Sequence, residues 1–118
     1  MPRYIDGFVL PILKKNLPAY VRLARIACKI FKQHGAIEYC ECIGDDLNLP
    51  FGLPFPKGIR SRKGETIVFA YIVYKSRAHR DQVSARAMKD PRMATMPPSM
   101  PFDVKRMMVG GFEVAVRA

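Results

Sequence analysis

Two carboxylates lie inside stretches that read as strands. Asp6 shares a side with Tyr4 and Phe8, and Glu41 shares one with Tyr39 and Ile43. A carboxylate among apolar neighbours needs a cation beside it or titrates above its usual range. Arg106, Lys105 and His79 are the expected partners. Perturbed acids of this kind serve either as orienting or proton-transferring groups or as structural ion pairs, here across a subunit boundary. Two histidines add acid/base capacity. His79 falls in the first turn of an expected helix with Ser76, Arg77 and Arg80. Free N–H groups and the helix dipole favour a carboxylate or phosphate there; a capped helix with solvated charges is the plainer reading. His34 precedes Gly35 at the end of another helix, as a general base or as a group that suits the carbonyl end of the dipole. The candidate set is thus His79, His34, Asp6 and Glu41 for catalysis, with Ser76, Arg77, Arg80 and Arg106 to hold a ligand.

Cys40-Glu41-Cys42 lacks the Cys-x-x-Cys spacing and second ligand pair of a zinc centre, so no metal site and no cofactor are expected. On a strand these two thiols point the same way about 7 Å apart, a geometry that disfavours a disulfide. With Cys28 they form an odd set of reduced thiols.

These groups need elements to position them. Residues 3–10 read as a first strand, with Gly7 marking a bulge or a close backbone approach. Asn16 is the expected N-cap of a helix whose Tyr20, Leu23, Ala24, Ala27, Ile30, Phe31 and His34 recur at three- and four-residue steps. Arg22, Arg25, Lys29 and Lys32 lie on its wet faces, and Gly35 ends it. Strands follow at residues 36–43, 65–74 and 105–116, with a second helix over 76–89 closed by Asp90-Pro91. Residues 47–64 and 91–104 are long Pro-rich connections, the second also rich in methionine suited to pliable packing.

The order β-α-β-β-α-β is the ferredoxin-like α+β plan: a four-stranded antiparallel sheet with both helices on one face. Ile67 to Tyr74 is apolar on both sides, where a sheet with one wet face would alternate. Two helices cover one face, so the other needs a second subunit, a ligand or a nucleic acid.

The chain has 118 residues, enough for one domain spanning 1–118, and a formal charge of +10. No stretch approaches the roughly 18 apolar residues of a membrane span. The first residues carry an acid and no long apolar run, so the expectation is a cytoplasmic protein without membrane contact. The charge makes anionic partners worth weighing. Lys57, Arg60, Arg62 and Lys63 form a basic loop able to touch phosphates. Lys63-Gly64 with Phe69 and Tyr71 echoes an RNA-recognition strand, but the aromatic spacing and glycine placement differ.

Taken together, several segments resemble the YbaA-like family of small bacterial proteins, a domain of unknown function. They are Tyr4 to Pro11, His34-Gly35-Ala36, Glu41 to Asp46, Tyr74 to Asp81, Asp90-Pro91-Arg92, Met100 to Met107 and Gly110-Gly111-Phe112. The resemblance covers essentially the whole chain; residues 47–56 depart from it in being rich in phenylalanine and proline. It implies a dimeric α/β-barrel, a homodimer in which two ferredoxin-like sheets pack face to face, and no particular activity. The functional expectation is a homodimer with a small-molecule pocket between sheet and helices or under the Pro-rich loops, acting as a small enzyme or as a binding module. The alternative is an RNA-binding protein using the basic surface.

Overall fold

A computed structural model describes residues 2–118. The strands are β1 (Tyr4–Leu13), β2 (Glu38–Ile43), β3 (Glu65–Tyr74) and β4 (Met108–Glu113). The helices are α1 (Leu17–Gln33), a single turn α2 (Phe55–Gly58) and α3 (Arg77–Met88). The sheet order is β2-β3-β1-β4, with each neighbouring pair antiparallel. This is the expected ferredoxin-like arrangement, with α1 and α3 on one face.

The strand ends differ from the sequence reading for identifiable reasons. β1 continues through Pro11 to Leu13. Lys14 N–H donates to Gly64 O at 2.9 Å, so alternation turns the nitrogen of Pro11 toward β4. Pairing with β4 stops at Val9–Met108, so no ladder bond is lost there. β4 is shorter than expected because Asp103 accepts from Lys105 N–H and caps a 3-10 turn over Val104–Arg106. No bulge interrupts Gly7, which pairs with Tyr71 on one side and Gly110 on the other in continuous register. Instead the Phe112 ring lies over Gly7 and Gly110.

Helix α1 starts differently from the expectation. Asn16 has helical dihedrals and does not cap; it ends a 3-10 turn, and its amide donates to Pro101 O at 3.2 Å. The predicted stop holds: Gly35 takes φ +118°, and Ala36 N–H reaches back to Phe31 O at 3.0 Å. Helix α3 begins as expected, with Ser76 Oγ accepting from His79 N–H at 3.1 Å.

The core has two neighbouring groups on the helix face. One joins Tyr4, Ala36, Ile72, Tyr74 and Val83; the other joins Leu10, Ile12, Tyr20, Ala24 and Val68. The opposite face is largely open. Leu47 and Phe55 from the 44–64 connection cover its corner near Ile67, and Phe55 meets Phe69 edge to face at 6.5 Å. Beyond that corner Ile5, Val9, Phe69, Tyr71, Met108 and Phe112 surround a shallow hollow floored by Gly7 and Gly110. Phe69 is 45% exposed and Phe112 60%.

Candidate functional site

Tyr39, Glu41 and Ile43 share one side of β2, as expected, and the fold turns that side toward α1. There Glu41 receives two phenols. Tyr20, from the first turns of α1, donates to Oε1 at 2.6 Å, and Tyr39 donates to Oε2 at 2.8 Å. Tyr39 and Glu41 are two apart on one strand face, hence neighbours; Tyr20 arrives because the apolar stripe of α1 packs onto β2 and β3. Burial first, and then the Glu41 carboxylate, push both phenols well above their ordinary 10.0. They therefore remain protonated donors at neutral pH.

This triad is set in the wall of a cavity of about 630 Å³ between sheet and helices. Phe8, Leu10 and Ile72 form the sheet side and Leu23, Ala24 and Ala27 the helix side. Met88, Met96, Met100 and Met107 line it from the end of α3 and the 91–107 connection, with Phe102 against Tyr20 at 5.7 Å. Thioethers give this wall adaptable packing. Glu41 is the one formally charged residue of the lining. Sizes of this order, apolar walls and a few convergent polar atoms are the ordinary make-up of small-ligand sites.

The other sequence candidates fall in separate places. Asp6, 8% exposed, meets Arg80 at 3.2 Å, and the same guanidinium donates to Tyr4 Oη at 3.4 Å and covers the Tyr4 ring. Burial raises the Asp6 carboxyl, and the Arg80 charge opposes that rise. His79 accepts Lys75 N–H on Nδ1 at 3.0 Å, so its ring helps fold the chain into α3. Burial, then Lys75 and Arg86, hold it below 6.5. Ser76 is occupied by the cap, and Arg77 is exposed beside it. His34 Nε2 lies 2.8 Å from Asp90 Oδ2, which also takes Arg92 at 2.7 Å. This fastens the end of α1 to the turn after α3. Arg106 is engaged by both oxygens of Glu65, at 2.6 and 2.9 Å, and by Arg60 O.

The expected pairing of the strand acids is therefore corrected. Arg106 binds Glu65 rather than either acid, Lys105 and His79 pair with neither, Asp6 takes Arg80, and Glu41 takes two tyrosines. The phenols were not anticipated as site residues. The available signal was Tyr39, two positions before Glu41 on a strand.

Fold and site together define a ferredoxin-like α+β protein with a half-open apolar cavity between sheet and helices. A family model described as "Protein of unknown function (DUF1428)" matches residues 3–104, and the chain belongs to that family. It is similar to the uncharacterised protein YbaA of Escherichia coli K12, with 38% identity over 111 residues, covering 94% of this chain and 95% of that one. YbaA of Shigella flexneri gives the same figures, 38% over 111 residues. Among solved structures, a dimeric ferredoxin-like protein from an uncultured marine organism matches with a TM-score of 0.59 and 12% identity, covering 100% of each chain. That likeness supports the fold. Among the described residues, no helix is long and apolar enough to cross a membrane.

Proposed function

We propose that the protein is a homodimer, sheet face against sheet face, in which each subunit binds a small molecule in the cavity beside Glu41. The observation that carries this reading is the cavity: about 630 Å³, apolar walls and one carboxylate oriented by two phenols. Glu41 is the sequence candidate that belongs to this site. Asp6, His34, His79, Arg80 and Arg106 serve the scaffold, since each is engaged by a protein partner. The phenols keep their protons and no histidine, lysine or cysteine lines the cavity, which favours binding over turnover.

The second subunit accounts for the open sheet face. Phe69, Met108 and Phe112 are exposed there, and Phe55 of the neighbouring connection, itself half exposed, meets Phe69 edge to face. Contiguous exposed apolar patches mark interaction surfaces. The marine ferredoxin-like relative in fold is described as dimeric.

A nucleic acid fits this face less well. Single-strand binding on a sheet needs stacking aromatics and phosphate-holding cations on one surface. Here the exposed Arg22, Arg25, Lys29 and Lys32 are on α1 and Arg77, Arg86 and Lys89 on or beside α3, across the sheet from Phe69 and Tyr71, while the exposed Lys57, Arg60, Arg62 and Lys63 belong to the connection at one corner of the open face. The Tyr71 hydroxyl instead donates to an acid, Glu38, at 3.3 Å.

Native mass spectrometry of the freshly purified protein tests both parts. The expected spectrum is a dimer carrying added small-molecule mass, and Ala27→Phe, which fills the cavity, keeps the dimer and loses the added mass. A bare monomer at tens of micromolar overturns the reading.

A further inference from the structure

The described residues pair their partly buried carboxylates with cations, save one. Asp6 has Arg80, Glu65 has Arg106, and Asp90 has Arg92 and His34. Glu41 has no ion-pair partner among them, in a chain with 20 lysines and arginines against 10 acids. Arg25 lines an adjoining cleft of about 310 Å³ with Glu41, yet it is exposed and makes no ion pair with the carboxylate. Two phenol hydrogens satisfy one lone pair on each oxygen of Glu41. A carboxylate offers about four such positions, so acceptor capacity remains.

A charge drawn away from water is costly unless it is matched. The phenols orient Glu41 and soften its charge without cancelling it. A cation in the cavity would supply the counter-charge that the described residues do not. The rest of the lining is aliphatic, thioether and aromatic, with Phe8, Tyr20, Phe31, Tyr39 and Phe102 supplying the aromatic faces. Such faces attract cations electrostatically. An anion would meet only like charge there, because no arginine, lysine or histidine lines the cavity.

We infer that the cavity selects a small organic cation, a primary or secondary amine on an apolar body, whose ammonium donates to Glu41 while its hydrocarbon lies against the methionine wall. This rests on the cavity being a ligand site and adds the chemical class of the ligand.

The test uses three probes of one shape at pH 7: phenethylamine, phenethyl alcohol and phenylacetate, titrated into the full chain and followed by protein NMR shifts of the cavity-lining methionine methyls. The amine is expected to bind at least about tenfold more tightly than the alcohol, and phenylacetate more weakly than both. Glu41→Gln keeps the shape and an acceptor but removes the charge, and is expected to erase the amine's advantage, lowering its affinity far more than the alcohol's. Glu41→Asp retains a carboxylate and is expected to keep part of the preference, which covers the case of a poorly folding glutamine variant. Alcohol binding equal to or tighter than amine binding overturns this inference and leaves the ligand site standing. So does an amine preference that survives Glu41→Gln. If none of the three probes moves the methionine signals, the site reading and the inference fall together.

Discussion

The Arg80 guanidinium stands 3.2 Å from the Asp6 carboxylate and joins α3 to the central strand β1 across the helix-facing side of the sheet. Removing one member of a buried pair leaves the other charge uncompensated, which costs more than the pair contributes. Arg80→Leu is therefore expected to lower stability by about 3 kcal/mol in chemical denaturation at pH 7. Adding Asp6→Asn should recover most of that loss, and an additive double variant would show that the two do not act as a pair. Acidity adds a signature. The folded-state Asp6 carboxyl is raised above 3.8, chiefly by burial, and Arg80 works against that rise. A raised acid contributes stability below its unfolded value and loses it as pH climbs through the folded value. Without Arg80 the rise is larger, so the variant's deficit should be smaller at pH 4 than at pH 7.

His79 predicts a pH effect at milder acidity. Its Nδ1 accepts the Lys75 N–H, so the ring must be unprotonated to hold that turn. Burial, Lys75 and Arg86 all depress its pKa below 6.5. The unfolded chain then binds the proton more readily, and stability falls as pH drops from 6.5 through the folded value. His79→Gln should be somewhat less stable than the parent at pH 7 and should show a flatter decline between pH 7 and 5. Thermal unfolding across that range measures the difference. An unchanged slope would mean that His79 titrates alike in folded and unfolded chains.

Adjacent glycines on β4 offer a contrast between the two sheet faces. A Cβ at Gly111 would stand 2.8 Å from Tyr4 Cε2, against a ring buried in the core. A Cβ at Gly110 would meet the Phe112 ring at 3.5 Å, an ordinary contact on the open face. Overpacking of a core costs about 1–3 kcal/mol. Gly111→Ala should lose about 2 kcal/mol, whereas Gly110→Ala should stay within about 0.5 kcal/mol of the parent. Equal losses would place the cost in the strand backbone rather than in the Tyr4 contact.

Local periodicity carried much of the fold. The α1 stripe correctly marks Tyr20, Ala24 and Ile30 as buried, and the β-α-β-β-α-β order correctly leaves one sheet face without helices. The phase that puts Glu41 on one side of β2 with Tyr39 is equally local. Its phenol partner Tyr20 is not, because that contact depends on how α1 settles across β2, and the stripe alone shows Tyr20 only as a core residue. Arg80 is 74 positions from Asp6, so no spacing rule links them. The methionine wall lies in a connection without regular period, held by Asp90 capping a 3-10 turn over Pro91–Thr95 and by Asn16 binding Pro101. Such contacts follow from tertiary packing, which sequence pattern does not encode residue by residue.

The proposed sheet-to-sheet dimer makes the sharpest prediction about assembly. Phe69 and Phe112 flank the hollow on the open face and are largely outside the helix-side core. A lysine at either site would be solvated in an isolated subunit, since neither ring belongs to the buried groups of the helix face. In the dimer the same lysine would be enclosed against an apolar partner surface, twice by symmetry, and an unpaired buried ammonium is heavily disfavoured. Phe69→Lys and Phe112→Lys should therefore give folded monomers. Light scattering after size exclusion would report half the parent mass, with the circular dichroism of the parent retained. Loss of circular dichroism together with mass would assign these rings to the subunit's own stability. A folded dimer in both variants would move the interface off this face, and the sheet would then need another occupant.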